Sequence, residues 1–258
     1  MKIIITYVSA GTGHRRAAEA IYNYFKENCP SCDLKIIDAL QKTNLVFRSI
    51  YSYGYIFLVN HALWLWHFCF WLTSVKCLVC VTSTLVSVIN RLNGNDFSGF
   101  LIRNNPDFII STHFFPSEIA GYLKETKKIN SKLLTVITDF GIHPLWICCG
   151  TDMYIVASDF SKEQLILEGI RENIVKDLGI PIDSKFLEKY EKNILCKKLA
   201  LEPDKFTVLI STGSSGIGKV EEIVGSLYKE AQVLVVCAHN EILYARLKER
   251  NYPKVKVF

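Results

Sequence analysis

Acidic residues are what the middle of this sequence lacks. Between Ala39 and Asn105 the only carboxylate is Asp96, against Lys42, Arg48, Lys76, Arg91 and Arg103. The chain also lacks any block of Lys and Arg. Its formal net charge of +5 is spread over 258 residues, so the basic arm of a nucleic-acid binder is excluded and no nucleic-acid partner is expected. Charged residues are only 21% of the total while hydrophobic residues are 50%, which excludes general disorder and allows a sizeable core. No charged n-region, apolar h-region and cleavage site stand at the N-terminus, because an apolar strand begins at residue 2; a cytosolic start is expected. Cysteine is not scarce, with nine residues. Cys69, Cys148, Cys149 and Cys237 sit in apolar settings and read as reduced core thiols. Cys29/Cys32 and Cys77/Cys80 have the Cys-x-x-Cys spacing of zinc ligands. The second pair lies in an almost wholly apolar run without the turn residues of a zinc knuckle, so no metal site is expected.

The chain is organised around Ser9-Ala10-Gly11-Thr12-Gly13-His14. An apolar, β-branched run, Ile3 to Val8, precedes it and reads as a buried parallel strand. After it, Ala17, Ile21 and Phe25 recur every four residues, with Ala18 and Tyr22 beside them, which is a helix with a core-facing stripe. Gly11 and Gly13 allow a sharp turn and a close approach of backbone to ligand. The helix behind them offers unpaired N–H groups and a positive dipole end to phosphate. The dinucleotide fingerprint is absent, because its third glycine position holds Arg16. On spacing alone, a ligand loop and a purely structural turn both stand.

A second strand, Leu34 to Asp38, completes a β-α-β unit, which predicts a right-handed parallel crossover. The α/β pattern resumes at Pro106-Asp107. Strands are predicted at Phe108–Ser111, Leu133–Thr138 and Met153–Ala157, a short one at Ile174–Val175, and Gly179-Ile180-Pro181-Ile182 leaves the domain. Pro116 is expected to open a helix, and Ser161-Lys162-Glu163-Gln164 reads as a capping box for another. Residues 1–182 therefore form an N-terminal domain, 183–205 a charged linker, and 206–258 a second, partial α/β domain. In open α/β sheets ligands collect at the carboxyl ends of strands. The loops there are Gly11 to His14, Thr112 to Phe115, Asp139 to Trp146, and Gly213 to Gly218. In the last, Gly213-Ser214-Ser215-Gly216-Ile217-Gly218-Lys219 nearly matches a phosphate-binding loop, but Val220 stands where Ser or Thr holds Mg²⁺. A grip on a nucleotide diphosphate without metal fits better than an NTPase site; a plain strand-helix turn also fits. A carboxylate at Asp139 can orient an imidazole or accept a proton.

The acid-poor stretch is rich in aromatics. Its centre runs from Ala62 to Leu72 and includes Trp64, Trp66 and Trp71, and a second apolar run reaches from Cys77 to Ile89. Three readings stand: a buried helix pair, a membrane-spanning hairpin of ~20 apolar residues per span, and a surface whose tryptophans and bases sit in the headgroup zone of an anionic membrane.

These residues resemble the monogalactosyldiacylglycerol synthase and processive diacylglycerol glucosyltransferase family, within glycosyltransferase family 28. The resemblance rests on Ser9 to Ile21, on Thr138-Asp139-Phe140 with His143 and Trp146, on Met153 to Ser158, on Gly179 to Ile182, and on Ser211 to Gly218 with Val220-Glu221-Glu222. It implies an α/β, GT-B-like fold of two Rossmann-like domains with parallel sheets, the second incomplete, facing across a cleft. It implies transfer of a hexose from a UDP-sugar to diacylglycerol with inversion, without metal or cofactor, by a protein peripheral on the cytoplasmic face of an anionic membrane. It implies His14 as base with Asp139 as partner or substitute. Gly11, Thr12, Gly13, Gly213, Ser214, Ser215, Gly216 and Gly218 would hold the donor diphosphate. His113, Phe114, His143 and Trp146 would lie on the acceptor side, and Trp64, Trp66 and Trp71 at the membrane. Members of that family continue past residue 258, so the chain is expected to be truncated in its second domain. The alternative is a non-catalytic membrane-associated fragment, or half of a split glycosyltransferase.

Overall fold

The computed structural model of the chain describes residues 1–9, 11–54, 57–58, 61–213, 216 and 218–258, with the backbone alone of Lys76. The expected donor-loop residues Ser214 and Ser215 lie outside the described residues. The chain divides into two compact units, Met1–Phe186 and Leu187–Phe258.

The first unit is built on β1 (Lys2–Tyr7), β2 (Asp33–Asp38), β3 (Phe108–Ser111), β4 (Lys132–Val136), β5 (Met153–Ile155) and β6 (Val175–Lys176). All pairings are parallel, in the order β2-β1-β3-β4-β5-β6. Because both faces of a parallel sheet are covered, the centre of β1, Ile3 to Ile5, is apolar and buried. Ile3 and Ile5 bury into the layer of α1 (Gly13–Asn28) with Ala18, while Ile4 enters the opposite core with Phe97, Leu101, Phe115 and Ile119. That opposite core takes side chains from α2 (Leu45–Ser49), α5 (Asn95–Asn104) and α6 (Phe114–Glu125); α3 (Leu63–Ser74) and α4 (Lys76–Asn93) come between α2 and α5 in the chain, and α7 (Asp159–Leu167) follows β5. The order reverses at β1: β2 lies on one side and β3 on the other. The carboxyl ends of β1 and β3 therefore flank a topological switch point, where parallel sheets bind ligands.

Several local expectations are corrected. Pro116 does not open α6, which starts at Phe114 with His113 as its N-cap. α7 starts at Asp159 behind Ser158, so Ser161 and Gln164 lie inside it instead of forming a capping box. Both reach across to the loop after β4: Ser161 donates to the Phe140 carbonyl at 2.7 Å, and Gln164 Oε1 accepts from the Ile142 N–H at 2.9 Å. α5 has no counterpart among the expected elements; its Phe97 and Leu101 are buried in the core.

The buried-pair reading of the aromatic stretch is also overturned. No residue of α3 is buried, and Trp64 and Trp71 are 73% and 56% exposed. On α4, Leu78, Val81, Leu85, Val88 and Leu92 are all exposed. Their alternating spacing of three and four residues puts them on one face. No single helix among the described residues is long and apolar enough to cross a membrane; α3 and α4 pass that test only as a pair bent by 105°.

The second unit carries β7 (Thr207–Ser211), β8 (Gln232–Val236) and β9 (Val255–Val257) in a parallel sheet of that order. α9 (Val220–Leu227) and α10 (Glu241–Arg250) are its crossovers, with Val220, Val224, Val233, Val235 and Leu243 in the core. The expected linker contains α8 (Lys192–Leu199). Glu202 is tied to the sheet by two bonds with the Gln232 amide, at 2.7 and 2.8 Å.

Candidate functional site

The loops after β1, β3 and β4 meet at the switch point. Gly11 has φ +98°, which an L side chain rarely adopts, and nothing lies within 4 Å of a Cβ placed there or at Gly13. The turn is thus set by backbone conformation and opens onto free space. Thr12, the N-cap of α1, makes no side-chain capping bond. The first N–H groups of a sixteen-residue helix are left without a side-chain cap, an arrangement that receives anions.

His14 stands on the first turn of α1, with its Nδ1 2.9 Å from the Thr112 carbonyl and 2.7 Å from Thr138 Oγ1. A carbonyl has no proton to give, so Nδ1 carries the hydrogen and donates to both. Nε2 then holds the lone pair, and it has no hydrogen-bond partner among the described residues. Thr112 also locks the turn, donating its hydroxyl to the His14 carbonyl at 2.8 Å. Burial lowers the His14 pKa, the negative charge of Asp139 pulls it back up, and the Thr112 bond does the same. The ring is therefore neutral near pH 7, as a base must be.

His113 is buried and packs against His14, ring centroids 4.6 Å apart and nearly perpendicular. Its Nδ1 accepts the Phe115 N–H at 3.1 Å. Burial, helped by the neighbouring His14, holds its pKa well below the ordinary histidine value, so it stays neutral. Phe114 stacks on His113 at 4.2 Å. Trp146, buried, lies 6.0 Å from both histidine rings.

Asp139 is exposed and does not hydrogen-bond His14; its Oδ2 accepts the Trp146 indole N–H at 2.9 Å. It thus orients Trp146 directly and acts on His14 through space. His143 caps the turn Pro144–Trp146 by accepting the Leu145 N–H on Nδ1 at 3.2 Å, and its Nε2 lies 3.1 Å from Thr73 Oγ1 on α3. Sequence reasoning did not single out Thr73 or Phe70, whose ring lies 4.7 Å from that of His143. No local signal marks them, because they come from an element 70 residues away. Trp64 and Trp71 are exposed on α3 and Trp66 is half-buried there; none is part of the ring cluster around His14.

In the second unit, the loop after β7 has positive φ at Gly213 (+75°), Gly216 (+58°) and Gly218 (+129°). A Cβ at Gly216 would sit 2.4 Å from the Cys237 carbonyl oxygen. Asn240 fastens this loop, donating to the Gly216 carbonyl at 2.9 Å while capping α10 through the Leu243 N–H. Lys219 points to Glu222 at 3.2 Å, and Val220, at the position of the metal-holding hydroxyl, is a core residue. These two features disfavour a Mg²⁺–NTP loop. Among the described residues, no group of three or more His, Cys, Asp or Glu is arranged to hold a metal ion.

Comparison with known proteins adds the following. The family model for monogalactosyldiacylglycerol (MGDG) synthase matches residues 14–182. The processive diacylglycerol beta-glucosyltransferase of Staphylococcus epidermidis is 28% identical over 264 residues, covering 99% of this chain and 65% of that protein. The enzyme of the same name from Bacillus cereus is 28% identical over 263 residues, covering 100% of this chain and 66% of its own. The chain thus spans about two-thirds of the length of these relatives. Among solved structures, Anabaena HepE in complex with UDP-glucose superposes with a TM-score of 0.54 at 14% identity, covering 100% of this chain and 69% of that one. The UDP-GlcNAc 2-epimerase of Neisseria meningitidis, bound to UDP-GlcNAc, gives 0.54 at 11% identity, covering 100% and 72%. At such identities these likenesses show the fold, two Rossmann-like domains of the GT-B kind.

Proposed function

We propose that this chain, which belongs to the monogalactosyldiacylglycerol synthase family, acts in the transfer of a hexose from a UDP-sugar to the hydroxyl of diacylglycerol at a membrane surface. The observation that carries this reading is the fixed tautomer of His14. With Nδ1–H spent on the Thr112 carbonyl, Nε2 is a neutral, positioned base. It takes the proton of the lipid hydroxyl as that oxygen bonds to the anomeric carbon. The bond from the same carbon to the diphosphate breaks, UDP leaves with the electron pair, and one displacement inverts the configuration.

Charge on the departing diphosphate needs fixed donors. In this reading each unit by itself offers a group that suits such charge: the uncapped start of α1 after Gly11, Thr12 and Gly13 in the first, and the glycine turn with Gly213, Gly216 and Gly218 in the second. His113, Phe114, His143 and Trp146 line the acceptor side in this reading. The relatives act on diacylglycerol by name. Here the exposed apolar stripe of α4 and the exposed tryptophans of α3 are the surface that meets an anionic membrane, on its cytoplasmic face, where UDP-sugars are found. Association is peripheral, since apolar side chains with flanking bases dip into the headgroup zone without spanning it.

The test is transfer of labelled hexose from UDP-glucose and UDP-galactose to diacylglycerol in phosphatidylcholine–phosphatidylserine vesicles, with His14→Gln beside the wild type. A positioned general base contributes roughly 10²–10⁴-fold, so the variant should lose at least about a hundredfold in rate while still binding vesicles. Equal rates for the two proteins would remove His14 from the chemistry. A wild-type chain that binds vesicles but neither transfers sugar nor binds UDP favours a membrane-binding module instead.

A further inference from the structure

The hydrogen bonds around His143 can be assigned proton by proton. Thr73 Oγ1 lies 2.9 Å from the Cys69 carbonyl and 3.0 Å from the Phe70 carbonyl. Carbonyls only accept, so the Thr73 hydroxyl proton is committed to its own helix, α3. The oxygen retains a lone pair for His143 Nε2 at 3.1 Å. On the other side of the ring, His143 Nδ1 must accept, because its partner is the Leu145 N–H. Nε2 therefore carries the proton and donates it to α3, to Thr73 Oγ1 with the Phe70 carbonyl beside it. The imidazole is a directional link with one end on α3 and the other on the turn Pro144–Trp146. The Phe70 ring, one turn of α3 before Ser74, packs on the same imidazole at 4.7 Å.

The turn that His143 caps places Trp146. Trp146 in turn has its indole N–H on Asp139 and its ring 6.0 Å from His14. A continuous series of contacts thus leads from α3, whose outward face is apolar, to the ring proposed as the base. Neither end needs the link for its own fold. α3 closes its own backbone bonds, and Trp146 is enclosed with Ile137, Tyr154, Val156 and Leu165. What the link fixes is the position of one relative to the other.

We propose that His143, through Thr73, is a positioning residue that couples the seating of α3 to the geometry of the His14–Trp146–Asp139 group. The vesicle surface that engages α3 thereby acts on the reaction rate as well as on binding. This rests on the lipid-transfer reading of the same site. A helix drawn outward or tilted by lipid shifts Thr73, and the capped turn moves with the imidazole. The acceptor surface then brings the base into register when it is present, and less so when it is absent. Cys69 and Ser74, the neighbouring polar side chains of α3, make no hydrogen bond to the loop among the described residues, Ser74 donating instead to the Phe70 carbonyl of its own helix.

Thr73→Val keeps the shape and removes the side-chain acceptor, leaving only the Phe70 carbonyl; Thr73→Ser keeps the side-chain acceptor. His143→Asn keeps a capping oxygen for the Leu145 N–H and is too short to reach Thr73. Amide exchange of residues 143–147 and the Trp146 indole N–H resonance are followed in the full chain, with and without phosphatidylcholine–phosphatidylserine vesicles containing diacylglycerol. Loss of one neutral hydrogen bond corresponds to about a fivefold change. Thr73→Val and His143→Asn should raise exchange in 143–147 by about that factor, shift the indole resonance, and lose the response to vesicles. Thr73→Ser should retain all three. In transfer assays the first two should lower kcat about fivefold at unchanged vesicle affinity. The coupling is overturned if Thr73→Val exchanges like wild type in 143–147, or if its transfer falls only in proportion to lost vesicle binding. If the wild type transfers no sugar, the lipid-transfer reading fails on that result alone, while the exchange comparison still decides the link.

Discussion

His14 Nδ1 and the carbonyl oxygen of Thr112 lie 2.9 Å apart although 98 residues separate them in sequence. The contact bridges the loops after β1 and β3, the two strands between which the sheet reverses its order. It decides which ring nitrogen is free, and so which atom of the site can take a proton.

One consequence concerns pH. The Asp139 charge raises the His14 pKa against the lowering by burial. Asp139→Asn keeps an oxygen for the Trp146 indole and removes the charge, so the pKa of His14 falls further. Transfer activity should decline on the acid side as His14 protonates, below the ordinary value of 6.5. In the variant that limb should move to lower pH, with a lower plateau because the base is weaker. A limb that moves upward, or stays in place, contradicts the assignment; log kcat/KM against pH measures it.

A second consequence concerns stability. His113 is neutral in the folded chain, its pKa well below 6.5, and it gains a proton in the unfolded chain once pH falls below that value. The unfolded state then binds more protons, so this contribution is complete above the unfolded pKa and is lost as pH falls toward the folded pKa. The limiting slope is ~1.4 kcal/mol per pH unit for one proton. Urea unfolding between pH 7 and 5 should show it. His113→Asn, which keeps a capping oxygen for the Phe115 N–H, should flatten it.

Gly121 sits where α6 meets the loop after Trp146. A Cβ there would fall 1.9 Å from the Cys149 carbonyl oxygen, and the facing Gly150 has φ +73°. Backbone cannot yield as a flexible side chain does. Gly121→Ala should cost about 1–3 kcal/mol or more, read as a fall in Tm. Gly99→Ala, on α5, would meet only the end of the Arg103 side chain at 3.1 Å. It should be neutral or stabilising by up to about 1 kcal/mol, since alanine suits a helix better.

The apolar stripe of α4 gives a fourth expectation. Leu85, 59% exposed at its centre, should contribute to vesicle binding. Burying a leucine is worth about 1.5–3 kcal/mol, so Leu85→Glu should weaken co-sedimentation with anionic vesicles by about tenfold. Leu167→Glu, on an equally apolar residue of α7 that is 84% exposed, should leave it unchanged. Equal losses in the two variants would remove α4 from the membrane surface.

Much of this architecture was written into local sequence. The β-branched run before Gly11 and the four-residue spacing after it specify strand, turn and helix without reference to the rest of the chain. The parallel sheet follows from repeated strand-helix alternation, and the family resemblance from short motifs read in order. The helix starts were less legible. Ser161 and Gln164 have the spacing of a capping box, yet Ser158 caps α7 and both side chains reach the Asp139 loop instead. A polar side chain on a helix has no sequence mark telling whether its partner is local or across a loop.

The sequence by itself determined the β-α-β frame, the glycine at φ +98° and the presence of an imidazole at the first turn of α1, because these depend on residues within one or two turns of each other. Only the tertiary structure decided that the Thr112 carbonyl faces Nδ1, that Asp139 holds Trp146 and does not bond His14, and that Thr73 touches His143. Each of those contacts joins segments brought together by sheet order and helix packing, and hydrogen-bond direction depends on which atom arrives opposite, which no local pattern encodes.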